Sequence, residues 1–526
     1  MGPQKIRKLG TRNTILLGLS FMAPALSLLA TFSLVMTAGY TWAGVPLAYF
    51  AAGLAVIVTA TSFADLSRTH PGGGSVHNYS RKIIGPRLGQ MPVWIYMLEL
   101  LVIPAAALVP VGFFVQDWFG LSPWITVLIS FIIVMVLSNA GINLSFKTLA
   151  ILFGIQIAIL LIFAVSAIIW SIQGGLFGSM SVTALSPSGS LMGWAGIIVG
   201  AAAAVYSFLG FESSSAMSDE TENPGKTIPK SILITAVIGT IINTFMAWVF
   251  VLAIPTKGLF SLLYYLNPVP AMAGELWRSI PPFYADWRHL LNMAGTVAGL
   301  TGALASVTAT SRILEQLGKD RVLPKIFSRL SNKRQTPSFS IGFIGAISLL
   351  VAMFVPWESI AMLIATGAVP TFFLVNLMSF LQHRSRQKSL VPVFRHWLLP
   401  WIGMIMCAWI IAVGLPVNMK LILLLWIMAG FVIVCARELI QKKDPRFSRR
   451  NWIGTVLSLA GLSVSVVIFL TWSRFTGSLE WWHIKAPYAQ GNVPATVIAI
   501  VVAVLFAASP VWLLFRERPQ KGGKTQ

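Results

Sequence analysis

Charged side chains are scarce in this sequence. Of its 526 residues, 10% are Asp, Glu, Lys or Arg and 56% are hydrophobic, and the mean hydropathy is +0.79. A soluble globular chain carries roughly a quarter charged residues. Because no water-facing surface can be built from this composition, a soluble protein is excluded.

Cysteine and histidine are also scarce, with two and six copies. Cys407 and Cys435 both lie in apolar stretches, where we interpret them as packing residues without a disulfide framework. The sequence contains no HExxH, GxSxG or phosphate-binding loop motif, and no His or Cys cluster with metal-ligand spacing. We therefore predict that the chain is not an enzyme and has neither a cofactor nor a metal site.

Long uncharged stretches are what the sequence has in abundance. A helix that crosses a bilayer needs about 20 apolar residues, and the uncharged stretches predict about fourteen spans. Spans 1 and 2 share residues 13–64, spans 5 and 6 share 148–218, and the others fall in 88–116, 118–146, 231–256, 289–311, 335–357, 359–383, 396–419, about 421–436, 451–473 and 493–515.

The basic residues predict the orientation, because loops rich in Lys and Arg stay on the cytoplasmic side. With the N-terminus inside, only six of the 38 basic residues fall in outside loops: Lys257, Arg278, Arg288, Lys420, Arg474 and Lys485. We expect both termini in the cytoplasm and a location in the cytoplasmic (inner or plasma) membrane. The net charge of +22 then fits attraction to anionic lipid and requires no nucleic acid.

Two spans contain helix-breaking segments. Pro24 lies inside the apolar run of span 1, and Gly210 is followed by Glu212 and three serines in span 6. Irregular backbone persists at membrane depth only where it lines protein or a wet cavity. Either break alone could serve packing. Their matching positions at the start of two five-span sets favour an inverted repeat with a binding site at the bilayer midplane.

The predicted organisation follows from these spans. Residues 1–12 form a cytoplasmic N-terminus and residues 13–383 a ten-helix core, with one repeat at about 13–173 and the second at about 191–383. Spans 11 and 12 occupy 396–438, spans 13 and 14 occupy 451–515, and residues 516–526 form a cytoplasmic tail.

Only two acids lie in the interior of the apolar spans, Glu99 in span 3 and Glu212 after the break in span 6. A carboxylate at membrane depth costs a few kcal/mol, so each is a candidate for function, including proton coupling. Glu212 could instead cap the second half of its helix. Asp65 is interpreted as a loop-anchoring residue, and His289 and His396 as interface residues at span ends.

Three motifs carry a resemblance to a known family. Gly210-Phe211-Glu212 with residues 222–230 (ENPGKTIPK), residues 68–75 (RTHPGGGS) with Tyr79-Ser80, and residues 311–314 with 319–324 (KDRVLP) resemble the amino acid–polyamine–organocation permeases. The resemblance covers about residues 10–440, and spans 13 and 14 lie outside the usual twelve.

The resemblance implies an all-α membrane protein with a LeuT-type 5+5 inverted repeat that works by alternating access. In such permeases the broken spans bind substrate through exposed backbone groups, and an aromatic residue matching Tyr206 lies over it. Glu212 matches an acid of arginine/agmatine-type exchangers. Glu99 matches an acid of cationic amino-acid transporters and an Asp of putrescine importers. The implied substrate-binding residues are Ser20, Met22, Ala23, Pro24, Ala25, Tyr206, Ser207, Leu209, Gly210 and Glu212.

The coupling ion and the substrate stay open at this stage. Some proton-coupled relatives carry a Lys in span 5 where this sequence has Gln156, and hydroxyls in span 8 offer a possible sodium site: Ser306, Thr308 and Thr310. The two acids favour a proton. The substrate is expected to be an amino acid, with a polyamine or other organic amine as the alternative. A proton-translocating subunit of a membrane complex is a remote alternative, because no Lys lies deep in a span.

Overall fold

The computed structural model describes residues 8–38, 40–86, 88–173, 183–253, 287–331, 334–383 and 394–441. Within these ranges the chain is helical, with one isolated bridge between Leu9 and Thr221 and no sheet. The α-helices are α1 Thr11–Met22, α2 Pro24–Ala38, α3 Val45–Thr69, α4 Val76–Ile83, α5 Gln90–Phe119, α6 Pro123–Asn139, α7 Ile142–Gln173, α8 Gly193–Ala204, α9 Pro224–Ala253, α10 Trp287–Lys319, α11 Ser338–Phe354, α12 Trp357–His383, α13 Leu399–Trp409 and α14 Val417–Gln441.

Helical segments lie where the first twelve spans are predicted. In the described part of the chain, nine are long and apolar enough to cross a membrane, and three shorter apolar ones match predicted spans 4, 9 and 11. Several extend beyond their predicted limits: α9 begins at Pro224, α10 continues to Lys319 and α14 begins at Val417. Long basic side chains allow such extensions, because their charged ends reach the membrane surface. Predicted spans 13 and 14 and residues 254–286 lie outside the described residues.

The outer helices present large apolar side chains outward. Ile125, Ile132 and Val136 of α6 and Ile162 and Val165 of α7 are all more than half exposed. Exposed apolar surface on this scale marks contact with lipid or protein, and it agrees with a multi-pass membrane protein.

The first break separates α1 from α2 at Ala23, which adopts the left-handed conformation with φ 45° and ψ 67°. Proline disfavours the helical conformation in the residue before it, so Pro24 favours the end of α1 at this point. Its fixed φ suits the first position of a helix, and α2 begins at Pro24 itself.

The second break is longer. After α8, residues Val205–Phe208 form a 3₁₀ turn, Leu209 is extended and Gly210 has φ 107°. The segment Ser213–Glu220 consists of 3₁₀ turns with a kink at Met217, where sequence reasoning expects the second half of an α-helix. Serine hydroxyls in this segment donate to carbonyls three residues earlier, Ser215 to Glu212 at 2.7 Å and Ser218 to Ser215 at 2.8 Å. Such local bonds compete with α-helical bonding.

The two breaks pack directly against each other. A side chain on Gly210 would collide with the ring of Phe21 in the last turn of α1, and Gly302 of α10 lies against Ala23. Glycines also bring the surrounding helices close, since Gly18 meets Thr235 and Gly53 meets Thr240 on α9. The irregular backbone of spans 1 and 6 therefore lies together inside the bundle.

Candidate functional site

The residues of the first break are all buried, but their backbone offers few free donors. Pro24 has no N–H, and the N–H of Ala25 donates to Oε1 of Gln156 on α7 at 3.4 Å. The Oγ of Ser20 is buried and has no hydrogen-bond partner among the described residues. The break thus leaves the Ser20 hydroxyl, rather than a row of amides, to receive a polar ligand.

Two side chains of the first break face neighbouring helices. Met22 lies against Gly239 of α9, and the Cβ of Ala23 lies against Gly302 of α10. Both are almost fully buried. These residues therefore hold the break in place against α9 and α10.

Glu212 stabilises the second break from within. Its Oε2 accepts the N–H of Gly210 at 3.1 Å, and its Oε1 accepts the hydroxyl of Tyr96 on α5 at 3.2 Å. If Glu212 capped the following helical segment, its carboxyl would accept an N–H from that segment. The backbone N–H that it accepts is instead that of Gly210, two residues earlier. A fully buried carboxyl with two donors is a well-satisfied group.

Glu99 is equally buried but has no hydrogen-bond partner among the described residues for either oxygen. It lies on α5, one helical turn after Tyr96, so both side chains leave the same face of the helix. The backbone of Glu99 packs closely on Gly367 of α12. Leaving a buried polar group unpaired costs free energy, and more when it is charged. Glu99 therefore requires a proton, a water or a cationic ligand.

The other predicted residues of span 6 differ in their surroundings. Tyr206 is half-buried against the core and Leu209 is buried. Ser207 is held in a polar network, because its Oγ lies 2.9 Å from Oγ1 of Thr31 and its carbonyl accepts from Nδ2 of Asn243 at 3.1 Å. Ser207 thus ties span 6 to α2 and α9, and Tyr206 remains the more accessible of the two.

The hydroxyls considered for a sodium site are mostly engaged with their own helix. Ser306 donates to the carbonyl of Ala303 at 2.9 Å and Thr308 donates to that of Leu304 at 2.7 Å. Thr310 is buried without a hydrogen-bond partner in the described residues, as is the Nε2 of Gln156. The Oε1 of Gln156 is already an acceptor for Ala25.

Sequence reasoning missed Tyr96 and a cluster of aromatic rings. Phe211 of the second break packs between Phe63 of α3 and Phe372 of α12, with ring centroids 5.5 and 5.3 Å away. The spacing of Tyr96 three residues before Glu99 was a usable signal, since residues at that spacing share a helix face. The ring cluster had no such signal, because its members come from α3, the second break and α12, which are distant in sequence.

The three sequence motifs meet at one end of the helix bundle. The N–H of Gly73 donates to Oδ1 of Asp219 at 2.8 Å, and Nε2 of His77 lies 3.0 Å from Oδ2 of Asp320. Arg312, which is 9% exposed, pairs with Glu220 at 2.6 Å and with Glu315 at 2.9 Å. These contacts join the ends of spans 2, 6 and 8 and close this end of the bundle.

The chain is similar to known transporters along most of its length. The family described as "Amino acid permease" matches residues 14–432. A low-affinity putrescine importer, PlaP of Escherichia coli K12, is 27% identical over 454 residues, covering 82% of this chain and 94% of the importer. The branched-chain amino acid permease BcaP of Bacillus subtilis is 23% identical and covers 81% of this chain and 92% of BcaP.

Structural similarity points to the same fold. The crystal structure of MhsT in complex with L-phenylalanine matches with a TM-score of 0.56 and 14% identity, covering 78% of this chain and 99% of MhsT. At this identity the match shows the fold alone, and it confirms the predicted LeuT-type architecture.

Proposed function

Because the chain belongs to the amino acid permease family, we propose that it is a secondary active transporter whose preferred substrate is a protonated organic amine. The family consists of transporters of small organic molecules, not of enzymes. The transported amine binds between the two helix breaks, and the binding site opens alternately to the two sides of the membrane.

The proposal rests on the burial of Glu99 and on its lack of hydrogen-bond partners. Glu99 is fully buried, and neither carboxyl oxygen has a partner in the described part of the chain. Its neighbour Glu212 is already bound by Tyr96 and Gly210. A protonated amine between the breaks supplies the charge and donors that Glu99 lacks.

The shortage of donors at the first break supports an amine without a carboxylate. The N-terminus of a half-helix ordinarily attracts an anion through its free amides. Here Pro24 has no amide and that of Ala25 is given to Gln156. The similarity to the putrescine importer PlaP points in the same direction.

An amino acid is the second candidate, and unpartnered hydroxyls favour it. Ser20, Ser213 and Ser214 are buried, and their hydroxyls have no hydrogen-bond partner among the described residues. Each hydroxyl is a potential donor to a substrate carboxylate, with the substrate amine at Glu99. The similarity to BcaP supports this alternative.

Proton coupling or exchange fits the site better than sodium coupling. Glu99 and Glu212 are carboxyls that can gain and lose a proton, whereas Ser306 and Thr308 bond to their own helix. We place the transporter in the cytoplasmic membrane with both termini inside, on the distribution of basic residues, and its basic face against anionic lipid.

The closed end of the bundle supports alternating access. The Arg312 and Asp320 clusters shut the predicted cytoplasmic side, so release of substrate there requires them to separate. Lid and gate motions of this kind govern turnover in many proteins.

Uptake into proteoliposomes tests the proposal. The purified chain is reconstituted and given radiolabelled diamines, monoamines, and cationic and neutral amino acids, with imposed proton or sodium gradients. We expect gradient-driven uptake of a cationic amine that neutral amino acids do not inhibit. Uptake of neutral amino acids alone would overturn the substrate assignment.

A further inference from the structure

Three side chains with metal-binding atoms meet at the end of the bundle where α3 and α12 end. Asp65 belongs to the last turns of α3, His383 is the last residue of α12, and His396 lies in the π-helical turn Phe394–Leu398 before α13. One ligand atom from each of the three lies within 4.8 Å of the other two. The cluster is remote in sequence from both helix breaks and plays no part in the proposed substrate site.

We propose that Asp65, His383 and His396 bind a single divalent transition-metal ion of the zinc type. Two imidazoles and one carboxylate are a ligand set that such ions accept, with water in an open position. Bonds of about 2.0–2.2 Å in a tetrahedral site place ligand atoms about 3.3 Å apart. Nε2 of His383 lies 2.6 Å from Oδ2 of Asp65, and Nδ1 of His396 lies 3.7 Å from Oδ1, so small adjustments are sufficient.

The accessibility of the cluster suits an exchangeable ion. The side chain of Asp65 is 8% exposed, whereas those of His383 and His396 are 13% and 21% exposed. The carboxylate is thus fixed in the bundle, and the imidazoles form the opening to the solvent. Ser379 donates to Oδ2 of Asp65 at 3.4 Å, which helps to orient the carboxylate.

The simpler interpretation is that Asp65 only accepts a hydrogen bond that anchors a helix end. The arrangement of the two histidines favours a metal site over this interpretation. The rings of His383 and His396 are stacked, with centroids 3.9 Å apart and an angle of 30°. Two imidazolium ions at this distance repel each other, whereas a metal ion binds neutral imidazoles. A hydrogen bond to Asp65 requires only His383, but both histidine rings lie next to the Asp65 carboxylate.

A bound ion joins the ends of three helices. Asp65 fixes α3, His383 fixes α12 and His396 fixes the turn that leads into α13. Asp65 lies 318 positions before His383, which is why spacing motifs did not reveal the site.

Metal binding to the full-length protein in detergent provides the test. The protein carries an affinity tag without histidine, and Zn²⁺ is titrated in competition with a chromophoric chelator. Binding of Co²⁺ is followed in parallel by its visible absorption. His383→Ala and His396→Ala remove ligands, and His383→Gln keeps a donor for Asp65 while removing the imidazole. His289→Ala, at the opposite end of α10 from Lys319, is the matched control.

We expect about one equivalent of tightly bound Zn²⁺ in the wild type and in His289→Ala. The affinity falls at least about tenfold in His383→Ala, His396→Ala and His383→Gln, while gel filtration of the His383→Gln protein stays monodisperse. Absence of stoichiometric binding in the wild type overturns the proposal, as does an affinity in the two alanine variants equal to that of the wild type.

Discussion

Two fully buried glutamates, Glu99 and Glu212, differ in what surrounds them. Glu212 receives hydrogen bonds from Tyr96 and Gly210, whereas Glu99 receives none in the described part of the chain. A buried carboxyl that is satisfied stabilises local structure, and one that is not is available to a ligand or a proton. At the scale of single residues, we propose from this difference that Glu212 stabilises the break and that Glu99 meets the substrate.

Replacing Glu99 tests that assignment. Glu99→Gln keeps the shape of the side chain but removes its charge, so a cationic substrate loses its buried partner. Removing one member of a buried ion pair costs about 3 kcal/mol or more, and we expect the substrate affinity to fall about 100-fold. The measurement is equilibrium binding of labelled amine to purified protein, with Glu222→Gln, an exposed acid, as the matched control. Equal affinity in Glu99→Gln and wild type would remove Glu99 from the site.

Sequence reasoning identified the two acids but not the difference in their hydrogen bonding. Glu99 and Glu212 were visible because carboxylates are rare in apolar spans. The hydroxyl of Tyr96 that separates their roles was not, because its contact with Glu212 joins α5 to span 6 across 116 positions. Likewise, Ser207 was predicted to touch substrate, and its network with Thr31 and Asn243 depends on packing that no spacing reveals.

At the scale of elements, the two broken helices were predictable to different degrees. Proline acts on the residue before it, so Pro24 favours a break at Ala23, although Pro104 and Pro110 lie inside α5 without ending it. The second break depends on Gly210 and on serines whose hydroxyls compete for backbone carbonyls. Its location was predictable from composition, but the 3₁₀ form of Ser213–Glu220 was not.

The conformation of Gly210 gives an element-scale prediction. Its φ of 107° is unfavourable for any residue with a Cβ, and that Cβ would collide with Phe21. We expect Gly210→Ala to destabilise the protein by about 1–3 kcal/mol and to abolish substrate binding by forcing the two breaks apart. Thermal unfolding and amine binding in detergent measure both effects.

Gly154→Ala is the control for that substitution. Gly154 lies in α7 with open space around its Cβ position, so alanine is tolerated there. If Gly210→Ala binds substrate as well as Gly154→Ala does, the contact between the breaks is not needed for the site.

The contacts that close one end of the bundle predict a pH dependence. Partial burial raises the pKa of Asp320, but hydrogen bonds from His77 and Gln316 and the neighbouring Arg81 outweigh it and lower the pKa below its ordinary value. A carboxyl with a lowered pKa contributes stability above its ordinary pKa, near 4, and loses it as the pH falls through the lowered value.

Asp320→Asn should therefore have a lower melting temperature than the wild type at neutral pH. Between pH 5 and about pH 3 its melting temperature should fall less than that of the wild type. Melting curves at several pH values measure this. Parallel losses in variant and wild type on acidification would show that Asp320 does not stabilise the closed end.

At the scale of the whole molecule, composition predicted the class of protein, whereas it did not predict individual contacts between residues or helices. The scarcity of charge and the length of the apolar runs predicted a multi-pass helical membrane protein, because lipid leaves few other solutions for the backbone. What composition could not predict is which helix ends meet. The Arg312, Asp320 and Asp65 clusters each join helices distant in sequence, and only the packed bundle brings them together.

The central claim is that a protonated amine binds between the two helix breaks with Glu99 as its partner. The most direct measurement is a cryo-electron microscopy structure of the full chain with a saturating concentration of a substrate identified by uptake. The account predicts density between Ala23 and Gly210, with the amine nitrogen within hydrogen-bonding distance of the Glu99 carboxyl. Density away from both breaks, or an amine that contacts neither Glu99 nor the break residues, would contradict it.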